Sequence, residues 1–71
     1  MENEITKKIL QIISKSHEPL ETKEVEKELK GVSRSKILYR LNDLRGEGKI
    51  KGKHLGPGKG VWIWWRVGAL K

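Results

Sequence analysis

The pattern of this chain predicts the α+β class: three helices followed by a two-stranded β-hairpin at the C-terminal end. Apolar residues recur at helical spacing in three runs before Gly46, each bounded by a capping or breaking residue. Beyond Gly48 the pattern changes to Val61–Val67, a run rich in β-branched and aromatic residues. Glycines punctuate both kinds of pattern where helices must stop and strands must turn. A length of 71 residues makes one domain, 1–71, with 1–67 as the folded core and 68–71 as a tail.

The first helix is predicted from about Asn3, its N-cap, to Ser16. Ile5, Ile9, Ile12 and Ile13 form its apolar stripe, widened by Leu10, while Thr6, Lys7, Lys8, Gln11 and Lys15 take the other side. His17-Glu18-Pro19 ends it, because the residue before a proline is pushed out of the helical region. A very short third strand is expected near Leu20. The second helix is expected to start with Thr22 as N-cap and to run to about Lys30, with only Val25 and Leu29 as apolar positions. Gly31 then supplies a left-handed residue. The third helix has Ser33 as N-cap, Val32 and Ile37 as a hydrophobic staple, and Ile37, Leu38, Leu41 and Leu44 as its stripe. Gly46 and Gly48 end it. Lys49–Leu55 and Val61–Val67 are the strands, joined by Gly56-Pro57-Gly58-Lys59-Gly60. On the last strand Val61, Ile63, Trp65 and Val67 are taken as the face on the helices, which leaves Trp62, Trp64 and Arg66 outward.

Charge is divided unevenly. Residues 1–31 hold six Lys against seven Glu, whereas residues 32–71 hold ten Lys or Arg against Asp43 and Glu47, within a net charge of +7. A near-neutral half joined to a basic half implies a face for a polyanion. There is no cysteine, so disulfides and Cys-based zinc sites are excluded. Much Lys, Glu and Ile with little Gln or Asn leans towards a thermophilic or archaeal source. No apolar run approaches the roughly 18 residues of a membrane helix, and the acidic Met1-Glu2-Asn3-Glu4 start is unlike a secretory signal. The expected location is therefore cytoplasmic and, for a nucleic-acid binder, nucleoid-associated.

The order of these elements resembles the winged helix-turn-helix superfamily over nearly the whole chain. Pro19-Leu20-Glu21-Thr22-Lys23-Glu24-Val25 is similar to the approach to its second helix, and Gly31-Val32-Ser33-Arg34-Ser35 to its turn into the recognition helix. Leu41-Asn42-Asp43-Leu44-Arg45-Gly46-Glu47-Gly48-Lys49-Ile50 is similar to its exit, and Gly58-Lys59-Gly60 stands where a wing tip belongs. The resemblance implies a duplex DNA-binding module, as a transcriptional regulator or chromosome-associated factor, with recognition helix 33–46 and wing 49–61. The winged helices that bind left-handed nucleic acid carry an Asn and a Tyr one turn apart on the third helix. Tyr39, Pro57 and Trp62 invite that comparison, but Leu38 and Asn42 occupy the two places.

On a recognition helix one side packs inward and the other meets the groove. With the apolar stripe inward, Ser35, Lys36, Tyr39 and Asp43 point outward and Arg40 lies on the flank. Ser33 and Arg34 sit at the N-terminus, where free N–H groups favour a phosphate. Arg34, Lys36 and Arg40 are the candidate phosphate or guanine contacts, and Ser35 and Tyr39 the candidate base or phosphate contacts. An ordinary solvated helix face is the competing reading, and Asp43 favours it. In the hairpin Lys49, Lys51 and Lys53 share one side of a strand. Lys59 at the tip and His54 beside the turn complete a candidate phosphate-tracking edge. The alternative is a charged strand face that only prevents aggregation. The helix and this lysine edge are expected side by side as a single surface.

Outward Trp62 and Trp64 are candidate contacts for a second subunit, another protein or nucleic acid; against this stands the reading that they complete a small core. A protein-interaction module and an RNA binder are therefore the rival functions, and a homodimer is open. Catalysis is not expected. His17 and His54 fall in different loops, and no nucleophile, base and orienting group can be assembled from neighbours. No cofactor, metal ion, membrane or small-molecule substrate is implied.

Overall fold

Ile9 and Ile13 lie on one side of α1 (Glu4–Lys15) and are at most 1% exposed, with Ile5, Leu10 and Ile12 packed beside them. Burying two such side chains contributes about 1.5–3 kcal/mol each, which sets the helix against the rest of the chain. The computed structural model describes residues 4–57 and 61–68, so the proposed Asn3 cap and the Lys59 tip lie outside the described residues. Among them the order is α1, β1 (Leu20–Glu21), α2 (Thr22–Glu28), α3 (Arg34–Gly46), β2 (Ile50–Leu55) and β3 (Val61–Arg66). The result is an α+β arrangement of three helices and a three-stranded antiparallel sheet, compatible with a winged-helix layout.

The short strand expected near Leu20 is β1. It pairs with β3, Leu20 opposite Trp64 and Glu21 opposite Ile63, so β3 is the central strand and β2 an outer one. The helix that follows starts one residue from the expected place. Glu21, not Thr22, is its N-cap, and the Glu21 N–H donates to Glu24 Oε1 at 2.8 Å, one arm of a capping box. Thr22 is instead the first helical residue and is buried. The helix stops at Glu28, and Leu29 turns into the core beyond it.

The cap expected for α3 is present: Ser33 Oγ accepts from the Lys36 N–H at 3.3 Å. At its far end Gly48 takes φ 76°, the Gly48 N–H donates to Arg45 O, and the Lys49 N–H donates to Leu44 O, both at 3.0 Å. These two bonds around a left-handed glycine are a Schellman ending. Gly46 therefore remains helical, and Gly48 makes the stop.

The core joins Ile9, Ile13, Val25, Leu29, Ile37, Leu41, Leu44, Ile50 and Trp64. Trp64 overturns the expected face of β3. It is 0% exposed, and Trp62 packs against the same core, whereas Val61 and Val67 are 39% and 51% exposed. The reason is tertiary. Gly52 lies opposite Trp64, and a Cβ on it would come within 2.5–2.6 Å of the Trp64 ring. The missing side chain leaves the space the indole fills. The indole Nε1–H donates to Thr22 Oγ1 at 2.9 Å, which satisfies its one polar group inside. The inner face of the sheet therefore carries Ile50, Gly52 and His54 with Arg66, Trp64 and Trp62 opposite them. The outer face carries Lys51, Lys53 and Leu55 with Trp65, Ile63 and Val61 opposite.

Candidate nucleic-acid interface

α3 and the hairpin meet through a stack of side chains. The Arg45 guanidinium stands 5.2 Å from the centroid of the Trp62 ring, within the range in which a cation is attracted to an aromatic face. Trp62 in turn stacks on Trp64, with centroids 5.1 Å apart and planes 15° from parallel. His54 closes the group from β2, its ring 5.6 Å from that of Trp62. Because Trp64 is held by Thr22, the stack ties the hairpin to both α2 and α3. Trp64 is thus fully buried and cannot serve as an exposed protein contact, while Trp62, packed against the core, remains half-buried.

Arg45 was not among the residues singled out from the sequence. One turn from Leu41, it stands on the edge of the apolar stripe, and its partner belongs to a strand that only folding brings near. It marks the flank of α3 turned to the hairpin. At about 100° per residue, Ser35 and Asn42 follow on that flank, Tyr39 points directly away from the core, and Asp43, Lys36 and Arg40 occupy the opposite flank. Tyr39 is 64% exposed, and the Arg40 guanidinium reaches back to 5.3 Å from its ring centroid. Arg40 charge and Tyr39 hydroxyl are therefore presented together.

The remaining candidates divide. Ser33 spends its hydroxyl on the helix cap. Arg34 pairs with Glu26 of α2 at 3.3 Å, so its charge already has a partner within the protein. Lys36 and Ser35 are exposed. Lys49 pairs with Glu47 at 3.4 Å. Lys51 and Lys53 are exposed and share one face, as their spacing predicts, but it is the outer face of the sheet, turned from Arg45, His54 and Trp62. The hairpin lies against α3 as expected; its strand lysines do not line the junction. Asn42, which Nδ2 ties to Leu38 O at 2.9 Å, is a structural neighbour of that junction.

Among the described residues no group of three or more His, Asp or Glu side chains could hold a metal ion. No described helix is long and apolar enough to cross a membrane. Comparison of the chain with protein-family models, with curated proteins and with solved structures found no match.

Proposed function

We propose that the chain is a winged helix-turn-helix module that binds duplex DNA, as a transcriptional regulator or chromosome-associated factor. The observation that carries this reading is the Arg45–Trp62 stack. It braces α3 against the hairpin while leaving Ser35, Lys36, Tyr39 and the acidic Asp43 exposed on the far side, with half-buried Arg40 beside them. A helix held rigidly by one edge and open on the other is what insertion into a major groove requires. Lys36, Arg40 and Tyr39 then meet phosphates and base edges, with Ser35 beside them. Arg34 can exchange Glu26 for a phosphate. His54 borders the groove at the hairpin, and Lys51 and Lys53 add to the positive field that gathers the duplex.

Affinity on this reading comes chiefly from neutralised phosphates. Fluorescence anisotropy of a labelled random-sequence duplex should show log K falling against log salt by about 0.9 for each phosphate contacted. Replacing Lys36 and Arg40 by Glu should weaken binding by more than tenfold and flatten that slope by about 2. A chain that ignores duplex at low salt, or binds it with no salt dependence, is not a DNA-binding module of this kind.

The rival protein-interaction reading depended on exposed Trp62 and Trp64. The burial of Trp64 withdraws half of that anchor, and Trp62 is engaged within the fold by Arg45 and Trp64.

A further inference from the structure

Trp65 is the tryptophan that the core does not use. Alternation along β3 sends Trp62 and Trp64 to the helices and Val61, Ile63 and Trp65 to the opposite face. Ile63 and Trp65 are half-buried, but neither belongs to the core cluster or to the apolar side chains packed on it. The β2 residues beside them on that face are Lys51, opposite Trp65, Lys53, opposite Ile63, and Leu55, opposite Val61. Leu55 and Val61 are 40% and 39% exposed. Lys51 and Lys53 make no ion pair among the described residues. The acid on the other side of the row, Glu21, turns back to the start of α2 and pairs with Lys23 at 3.8 Å. The charge left open on this face is therefore positive.

We propose that this outer face binds single-stranded nucleic acid, with a base against Trp65 and neighbouring phosphates on Lys51 and Lys53. The two lysines stand two strand residues apart, about 6.8 Å, so they follow a line rather than a point. An aromatic ring with cations alongside is the combination that holds unpaired bases and their backbone. A duplex keeps its base faces stacked inside and cannot offer one to Trp65. A second copy of this chain would bring another pair of open lysines into the contact instead of the anions these lysines lack. The proposal concerns a different face from α3 and does not require duplex binding.

The test uses the full chain with two labelled probes, an oligothymidylate and a duplex of equal length, followed by anisotropy. Oligothymidylate should bind, and Trp65→Ala should weaken it at least about fivefold while Trp65→Phe retains most of it. Lys51→Glu and Lys53→Glu should each flatten the salt slope for this probe by about 0.7. Lys36→Glu with Arg40→Glu should weaken duplex binding and leave oligothymidylate binding in place. In the unaltered chain, the Trp65 indole N–H resonance should shift on adding oligothymidylate, while that of Trp64, buried and bonded to Thr22, should hold still. A Trp65 signal that does not move, or equal affinity of Trp65→Ala and the unaltered chain, overturns the proposal. So does a dimer in sedimentation that Trp65→Ala converts to monomer without any oligothymidylate binding. If the duplex does not bind but Trp65-dependent oligothymidylate binding persists, the duplex reading falls and this one stands.

Discussion

Gly52 and Thr22 are small residues whose importance comes from Trp64. The indole occupies the place a Gly52 side chain would need, with Arg45 Cδ a further 3.2 Å contact on the same position. Gly52→Ala should therefore force the ring or the strand to move and destabilise the fold by about 1–3 kcal/mol, read from chemical denaturation. Its expected partner effect is loss of the Arg45–Trp62 stack, visible as a change in near-ultraviolet circular dichroism. Thr22→Val keeps the shape but leaves the Trp64 N–H buried with no acceptor. That should cost about 1–3 kcal/mol, and an equally stable variant would show that the 2.9 Å bond contributes nothing. Neither role can be read from the chain, since Thr22 and Trp64 lie 42 residues apart. The run Val61-Trp62-Ile63-Trp64-Trp65-Arg66-Val67 has apolar side chains on both faces, so alternation alone does not say which face is inside.

Helix ends follow local rules, and they were mostly legible. The Ser33 cap and the glycine stop after α3 need only neighbouring residues, and both stand where the spacing puts them. The start of α2 was misplaced by one residue because Thr is a good cap on its own. Here the β1 pairing holds Glu21 extended, at φ −78° and ψ 157°, and Thr22 is drawn inward to meet Trp64. Glu24 then answers the Glu21 N–H. Glu24→Ala should remove that arm and cost about 1 kcal/mol, lowering the thermal midpoint by about 4–8 °C. A midpoint unchanged within about 1 °C would mean that the β1–β3 pairing alone sets the start of α2.

Taken together, the fold is small and its basic charge is concentrated in residues 32–71. A domain of this size buries only roughly 60% of the surface its unfolded chain exposes, so its stability is modest and open to shift by a ligand. A polyanion that binds the folded chain alone should raise that stability. At a duplex concentration 100 times Kd the gain is about 2.7 kcal/mol, equivalent to more than about 10 °C in thermal midpoint. The shift should shrink as salt is raised, following the weakening of phosphate contacts. Duplex that leaves the midpoint unmoved at low salt would contradict the proposed function directly.

Helix or strand character, element order, the limits of α3 and the division of charge could all be read from residues in line. Each depends on neighbours within a turn or on a simple count of Lys, Arg, Asp and Glu. Four outcomes could not: Trp64 inside and Trp65 outside, Arg45 over Trp62, Arg34 held by Glu26, and Lys51 and Lys53 on the face turned from the helices. All four follow from which segments meet. The β2–β3 register sets Gly52 opposite Trp64, and the helices pack on the face where that glycine leaves room for the indole.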